Sequence, residues 1–412
     1  MREQGASAKE AMVMAGTRRK AGQLRPHVEG YQAWLACQGY TTGTIRNMLK
    51  DLGQVGSWLS AEGLTAEHLN EERIGMFLSA RRAAGRRRIP GPRAMVPLLS
   101  YLREAGIVAQ PTPVMSPLEA LLSSYRSWLI RERGLAPGTV LRYEKAARRF
   151  LEESSTGGVF DPSVLTGADV NAFLLRECAR VSAGSAKGRV AELRSILRFL
   201  YLEQITPLQL GAAVPPVGGW RLATLPPPAM ASADVQLLLD GCDRSTVVGV
   251  RDFAMMMLVA RLGLRSIEVA RLQLGDVDWR AGEILVRGKG RRHDRLPLPA
   301  EVGEALVAYL LSGRNPADAV HVFLTCRAPC RPVRADLVGD VVERACKRAG
   351  LPRVGPHRLR HALAGEMLRK GAGLIAISQV LRHQDLATTA LYAKVDLRTL
   401  REVAQPWPGV RR

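Results

Sequence analysis

The chain of 412 residues has no long, uninterrupted apolar segment. Its longest apolar run, from Phe253 to Leu264, is broken by Arg261 and is shorter than the ~20 residues of a membrane-spanning helix. We therefore expect a buried core helix there and no membrane association. Signal-peptide features are missing too, and cysteine is sparse and scattered, at Cys37, Cys178, Cys242, Cys326, Cys330 and Cys346. Reduced thiols in a cytoplasmic protein of the bacterial nucleoid are the expectation.

Acidic residues are also in short supply. The sequence has 38 Asp and Glu against 59 Lys and Arg, which gives a formal charge of +21 and a pI near 10.5. Such an excess favours a polyanionic partner, because each neutralised phosphate releases condensed counterions. A basic ribosomal or membrane-surface protein would share this property, so charge alone does not decide the class. The length predicts about three domains.

An internal repeat organises the first half of the chain. Each copy has aromatic residues at helical spacing, a Gly-x-x-x-Gly-Thr turn whose Thr is a candidate N-cap, a Leu-Thr pair and an apolar closing helix. The first copy contains Tyr31, Trp34, Leu35, Gly39, Gly43, Thr44, Leu64 and Thr65, and the second contains Tyr125, Trp128, Leu129, Gly134, Gly138, Thr139, Leu165 and Thr166. The pattern predicts helical domains at 24–110 and 116–206, with the aromatic residues as core.

Basic residues are concentrated at comparable places in the two copies. They are Arg81, Arg82, Arg86, Arg87 and Arg88 in the first copy and Arg176, Arg180, Lys187, Arg189 and Arg194 in the second. Solvated helix faces usually carry charges of both signs, so these runs favour phosphate contacts. Residues 1–23 are expected to be a basic flexible arm, and the Pro/Gly-rich stretch 207–230 a linker.

The second half predicts a buried helix, a small sheet and two further helices. Asp252–Leu262 is apolar and is followed by Gly263, a candidate left-handed helix end. Three alternating segments, 276–279, 283–287 and 294–298, predict an antiparallel sheet, with Lys289 in a Gly-Lys-Gly hairpin turn. Further helices are expected at 357–370 and 374–381.

Residues suited to phosphodiester chemistry recur in order along this half. The phrases are GLRSIE at 263–268, GKG at 288–290, HRLRH at 357–361, LRH at 381–383 and LY at 391–392. A tyrosine that attacks a phosphodiester needs cations for the charge that develops on the non-bridging oxygens. His357, Arg360 and His361 would share one helix face. In this order, the phrases resemble the catalytic domain of the tyrosine recombinases, the family of phage integrases and Xer-type enzymes.

The resemblance spans about 231–396 and implies a role for each matching residue. Tyr392 would be the nucleophile, Arg265 and Arg360 the phosphate clamps, and His357 and His383 hydrogen-bonding or proton-transfer partners. Lys289 would be the general acid, with Glu268 and His361 as supporting residues. Arg291, Arg292 and Arg295 are expected to bind the DNA backbone, because arginine does not release its proton at ordinary pH. Residues 397–412 would form a C-terminal tail.

The family also implies an architecture, a partner and a reaction. The expected fold is mainly α with a small antiparallel sheet: two helical, SAM-like DNA-binding domains of the core-binding type before the catalytic domain. The reaction would cleave and rejoin double-stranded DNA through a 3′-phosphotyrosyl intermediate, with no cofactor, metal or ATP. A homo-oligomer on DNA, a tetrameric synapse, is implied, with related recombinases as further possible partners. The duplicated domain and the arm resemble an integrase or transposase encoded by a mobile element.

Three alternatives remain open from the sequence. A type IB topoisomerase uses similar chemistry on a single duplex, and a non-catalytic DNA-binding partner could belong to a heteromeric recombination complex. His357 and His361 have the spacing of zinc ligands, but HRLRH lacks the glutamate of HExxH, and Arg360 would place a fixed positive charge beside the metal. No metal site is therefore predicted.

Overall fold

The computed structural model describes residues 21–86, 89–111, 115–154, 161–215, 230–288, 292–312, 314 and 320–383. Helices dominate this part of the chain, and a three-stranded antiparallel sheet accompanies them. The fold is therefore mainly α with a small sheet, as predicted. Residues 111–223 form one compact unit, and residues 1–110 and 224–412 form the other.

The first helical repeat has its own apolar core. Its helices are α1 (Val28–Cys37), α2 (Thr42–Ala61), α3 (Glu71–Ala83) and α4 (Pro92–Glu104). Tyr31 is buried and stacks on Trp34 with ring centroids 6.3 Å apart, which is the core role predicted for this pair. The N-cap of α2 is Thr41, whose hydroxyl accepts the Thr44 amide at 3.4 Å, so the prediction of Thr44 as the cap is wrong. The helix begins earlier because Thr41 is the residue with extended backbone.

The second helical repeat follows the same plan in the other unit. Its helices are α5 (Pro117–Arg131), α6 (Pro137–Glu153), α7 (Gly167–Ala179) and α8 (Ala183–Leu202). Tyr125 is buried and stacks on Trp128 at 6.1 Å. Pro137 starts α6 with its fixed φ, and Thr139 therefore lies inside the helix. The prediction of Thr139 as the N-cap is wrong.

The start of the predicted linker packs against the second repeat. Leu210–Ala213 forms a short 3₁₀ helix, and Leu210 and Val214 are buried in the core of that repeat. Arg194 donates a hydrogen bond to the Val214 carbonyl at 2.8 Å. Apolar residues spaced among the glycines and prolines account for this docking. Residues 216–229 of the predicted linker lie outside the described residues.

The second half of the chain is built around a buried helix. After α9 (Ser232–Asp240), α10 (Val247–Leu262) is apolar on nearly every side and ends at Gly263, which has φ 59° and ψ 33°. A Cβ on Gly263 would lie 2.7 Å from Leu381 Cδ2. This position therefore needs glycine both for its left-handed backbone and for the close approach of Leu381.

The sheet and the remaining helices surround this core. Strands β1 (Val277–Asp278), β2 (Glu283–Arg287) and β3 (His293–Pro297) pair in sequence order, and Ile284 opposes Leu296. The short helix α11 (Ser266–Ala270) precedes the sheet, and α12 (Ala300–Leu311), α13 (Ala335–Arg348), α14 (Pro356–Arg369) and α15 (Leu374–Leu381) follow it. Strands and helices fall close to the predicted segments, since hydrophobic periodicity and glycine turns mark them locally.

A buried ionic network ties three parts of this half together. Asp252 on α10 accepts hydrogen bonds from Arg251 at 2.7 and 3.0 Å, and from Arg344 of α13 at 2.9 Å. Arg251 also donates to the Leu324 carbonyl at 3.3 Å. Because Asp252 and Arg251 are both buried, each compensates a charge that would otherwise be costly inside the protein.

Candidate active site

Arg265 and Glu268 are held together at the start of α11. Arg265 occupies the N-cap position, and its guanidinium Nη1 donates to Glu268 Oε1 at 2.7 Å. Glu268 Oε2 accepts the Arg265 backbone N–H at 2.8 Å. The Arg265 side chain is 33% exposed and the Glu268 side chain 1%. The carboxylate thus lies behind the arginine, whose side chain stays partly open to solvent.

Glu268 is ionised at neutral pH despite its burial. Burial raises its pKa, but the charge of Arg382 and the hydrogen bonds from Arg265 outweigh this effect, so the pKa lies below its ordinary value. A buried carboxylate between two guanidinium groups is a fixed anchor, because rotation would break charge-assisted hydrogen bonds.

Arg360 joins three elements beneath the site. It lies on α14 between His357 and His361, is buried, and donates to the backbone carbonyls of Gly263 and Leu381. It therefore ties α14 to the ends of α10 and α15. The predicted shared face of this helix is confirmed for the two histidines, whose ring centroids are 6.2 Å apart.

His383 follows the end of α15, and its backbone N–H donates to the Ser378 carbonyl at 3.1 Å. Burial, together with the charges of Arg360 and Arg265, lowers the pKa of His383 to about 4. Burial and the same two arginines also lower the pKa of His357. The pKa of His361 is lowered by burial and by the adjacent His357. Three neutral imidazoles therefore surround two permanently charged guanidinium groups at neutral pH.

The site opens into a cleft of about 1240 Å³. Arg265, Glu268, Arg382 and His383 line one part of it, and residues of β2 and β3 line another. Arg292, a predicted DNA-binding residue, belongs to the same lining. The concave, cationic surface suits a phosphate-bearing ligand.

Three further arginines line this cleft that sequence reasoning did not assign: Arg271, Arg287 and Arg382. Arg287 is paired with Asp276, with Nη2 to Oδ1 at 2.7 Å. Arg271 directly follows α11 and is exposed. The LRH phrase already contained Arg382, but nothing in the phrase predicts its contacts.

Several predicted site residues cannot be placed. Lys289, Arg291 and Tyr392 lie outside the described residues, as do Arg87 and Arg88. Their roles stay predictions.

The predicted DNA-binding arginines of the second repeat have acidic neighbours. Arg176 pairs with Glu153 at 3.0 Å, Arg180 with Glu177 at 3.6 Å, and Arg189 with Glu192 at 2.8 Å. Lys187 is exposed, and Arg194 donates to the Val214 carbonyl. The stretch 176–194 is therefore less one-sided in charge than predicted, because Glu177 and Glu192 lie within it and Glu153 joins it from another helix.

In the first repeat, Arg81 and Arg82 close α3. The Arg81 guanidinium lies 5.7 Å from the Phe77 ring centroid, while Arg82 and Arg86 are exposed. Among the described residues, no three His, Cys, Asp or Glu side chains gather as a metal site would require. No helix in the described ranges is both long and apolar enough to cross a bilayer.

Comparison with known proteins identifies the family that this chain resembles in sequence. Residues 228–398 match the model of the phage integrase family. The chain is 38% identical over 394 residues to the putative integrase/recombinase y4rA of Sinorhizobium fredii, covering 94% of this chain and 95% of the relative. It is 31% identical over 315 residues to the tyrosine recombinase XerD of Mycobacterium tuberculosis, covering 72% of this chain and 98% of XerD.

Solved structures agree at the level of the fold. XerH bound to a palindromic difH substrate, in a post-cleavage complex, matches with a TM-score of 0.50 and 19% identity, over 72% of this chain and 98% of that chain. A lambda integrase dimer bound to a COC′ core site matches with a TM-score of 0.51 and 16% identity, over 78% and 91%.

Together with these relatives, the helical domain with its small sheet and cationic cleft places the chain among the enzymes that break and rejoin DNA strands. The chain belongs to the phage integrase family of tyrosine recombinases. The predictions of family, fold and enzyme class are confirmed.

Proposed function

We propose that this site-specific DNA recombinase uses Tyr392 as its nucleophile. The phenolic oxygen attacks the scissile phosphorus, the bond to the 5′ oxygen breaks, and a 3′-phosphotyrosyl link and a free 5′-hydroxyl result. A 5′-hydroxyl from another duplex then attacks the phosphotyrosyl bond and releases the tyrosine. The covalent link conserves the phosphodiester energy, so the exchange requires no ATP. The reaction as proposed also requires no metal.

The observation that carries this proposal is the cluster of Arg265, Arg360 and three neutral histidines. Arg265 lines the cleft, and the guanidinium N–H groups that Glu268 and the Arg382 carbonyl do not use can bind non-bridging oxygens, because a guanidinium has five N–H donors and keeps its charge. Its place in the HRLRH phrase assigns Arg360 as the second clamp, although its side chain is buried and donates to the Gly263 and Leu381 carbonyls. Neutral His357 and His383 can each donate one hydrogen bond to the phosphate and accept a proton during the reaction.

Lys289 is proposed to protonate the leaving 5′ oxygen. In the sequence it falls between β2 and β3, and the described residues on either side, Gly288 and Arg292, line the same cleft as Arg265. A lysine ammonium group can act as a general acid where arginine cannot, because the lysine pKa of about 10.4 lies nearer the operating pH than the arginine pKa does.

We also propose a higher assembly on DNA. Exchange between two duplexes cleaves both strands of each, which calls for one tyrosine per strand and so a tetrameric synapse, with related recombinases as possible members. The structural relatives XerH and lambda integrase were captured on their own DNA sites. The bacterial cytoplasm, at the nucleoid, is the proposed place of action, and a mobile element the proposed carrier of the gene.

The first helical repeat is proposed to extend the DNA contact. The match to y4rA covers 94% of this chain, whereas XerD, matched over nearly its whole length, covers 72%. Part of this chain therefore has no counterpart in XerD. The exposed Arg82 and Arg86 of that repeat are available for phosphate contact.

The test is covalent trapping with Tyr392→Phe. A substrate is found by sequencing fragments of the DNA flanking the gene that become covalently attached to the wild-type protein. The matching duplex is then nicked near the cleavage position, so that the released fragment diffuses away and the adduct accumulates. Wild type should give an adduct with and without chelator, and Tyr392→Phe should bind this duplex without forming one.

An adduct of equal yield in Tyr392→Phe would refute the assignment of the nucleophile. Flanking DNA that the wild-type protein binds, with no fragment becoming covalently attached, would favour the non-catalytic partner instead. Relaxation of supercoiled DNA without strand exchange would favour the topoisomerase alternative.

A further inference from the structure

Arg382 has a backbone conformation that is unusual for its residue type. Its φ of 52° and ψ of 49° are left-handed, and Gln204 is the only other non-glycine residue with positive φ within the described ranges. Glycine adopts this conformation at a helix end without steric cost, whereas a residue with a Cβ is strained there. Strain of this kind persists when the surroundings fix it, and it is common at functional sites.

The side chain of Arg382 is buried, and both terminal nitrogens of its guanidinium are engaged in hydrogen bonds. It is 5% exposed, and its Nη2 donates to Glu268 Oε2 at 2.7 Å. Its Nη1 donates to the Val380 carbonyl at 2.9 Å, and Nη2 also reaches the Gly263 carbonyl at 3.3 Å. Arg382 therefore binds the carboxylate on the side opposite to Arg265.

The backbone of Arg382 contacts Arg265 directly. Its carbonyl accepts a hydrogen bond from Arg265 Nη2 at 3.0 Å, while Arg265 Nη1 is held by Glu268. Both terminal nitrogens of Arg265 are thus fixed by groups that Arg382 supplies or holds in place. The left-handed turn that aims this carbonyl also leads into His383, the next residue.

We propose that Arg382 is a positioning residue for DNA cleavage, which fixes Arg265 from behind through Glu268 and through its own carbonyl. Arg265 is one-third exposed toward the cleft and Arg382 is buried, so Arg265 would meet the phosphate and Arg382 would not. The role rests on the proposed function of Arg265. It predicts that Arg382 affects the rate of the chemical step and leaves DNA affinity unchanged.

The main alternative is a purely structural role in closing α15. Two substitutions separate the alternatives, because Arg382→Gly and Arg382→Ala both remove the guanidinium, but only glycine relieves the left-handed strain. A closing role predicts that Arg382→Gly is as active as wild type. Positioning predicts that both variants lose a similar factor in cleavage rate, whatever their difference in melting temperature.

The experiment measures single-turnover cleavage of the nicked duplex and equilibrium binding of the same duplex. We expect Arg382→Gly to cleave about 10²-fold more slowly, the scale of a small misplacement of a catalytic group, with unchanged Kd. Arg382→Lys should recover part of the rate, because it restores a charge beside Glu268 without the planar fork. Arg353→Ala is the matched control, since it removes an exposed arginine paired with Glu343 at 2.8 Å. It should cleave at the wild-type rate.

Three outcomes would overturn the proposal: wild-type cleavage by Arg382→Gly, equal losses of binding and cleavage, or a loss that Arg382→Lys does not reduce at all. Each variant's melting temperature is measured alongside, and Arg382→Lys remains informative if the smaller residues unfold the domain. Tyr392→Phe in the same assay keeps the two hypotheses apart. If Tyr392→Phe abolishes the adduct and Arg382→Gly is normal, the proposed function stands and only the positioning role fails.

Discussion

Replacing Arg265 with alanine should separate catalysis from DNA binding. The substitution removes a partly exposed side chain that lines the cleft, and it takes away the hydrogen bonds to Glu268 Oε1 and to the Arg382 carbonyl. Losing one preorganised donor of charge typically lowers a rate about 10²- to 10³-fold, or about 2.7–4 kcal/mol in the barrier. DNA affinity should change little, because the other basic residues proposed to contact the backbone remain in place.

The same substitution has a cost for folding. Glu268 would keep its contacts with Arg382 and with the backbone N–H of residue 265, so its charge stays compensated. The loss of one hydrogen bond to a buried carboxylate should destabilise the domain by about 1–3 kcal/mol. This is less than the effect expected on the transition state, and the domain should stay folded.

One preparation serves all three measurements: the cleavage rate from single turnover, the DNA affinity from equilibrium binding, and the free energy of unfolding from denaturant titration. Arg265→Lys is the companion variant: it keeps the charge but lacks the fork, and should fall between alanine and wild type. Equal losses of binding and cleavage would show that Arg265 is an ordinary DNA anchor, and the reasoning would be refuted.

Four further predictions follow from the described residues. His383 should titrate near pH 4 in NMR spectra of the free protein, below the ordinary histidine pKa of 6.5, and a midpoint near 6.5 would contradict this. Because the unfolded chain binds the proton first, the stability that neutral His383 contributes should be lost as the pH falls from 6.5 to 4. Asp252→Ala should cost about 3–5 kcal/mol in urea unfolding by leaving buried arginine charge uncompensated, and a cost below about 1 kcal/mol would dispute the network. Gly263→Ala should cost at least about 1–2 kcal/mol because of its left-handed backbone, measured in the same way. Replacing both Arg82 and Arg86 with alanine should shorten the DNA footprint. It should also flatten the slope of log K against log salt by up to about 0.9 for each phosphate that is no longer neutralised. An unchanged slope would favour a protein-binding role for the first repeat.

The sequence alone determined the elements and the order of the site residues. The helix ending at Gly263, the three strands and α15 could be predicted because each depends on local signals: apolar periodicity, a glycine at a helix end, or a turn between alternating segments. The family phrases are equally local, since each spans only a few residues.

Capping and charge pairing were harder to predict. Thr41 caps α2 in place of Thr44 because the cap depends on where the backbone leaves the extended conformation, and either threonine satisfies the pattern. Arg176 looked available for DNA because Glu153, its partner, lies 23 residues away on another helix.

Only the tertiary structure decided how the catalytic arginine is held. Arg265 and Arg382 are separated by 117 residues in the sequence. The Arg382 carbonyl nevertheless accepts a hydrogen bond from the Arg265 guanidinium, and both arginines bind Glu268. Local patterns predict which face of a helix is apolar. They carry no information about which distant carboxylate or carbonyl a buried guanidinium will reach, because the packing of α10, α14 and α15 around Gly263 fixes those distances.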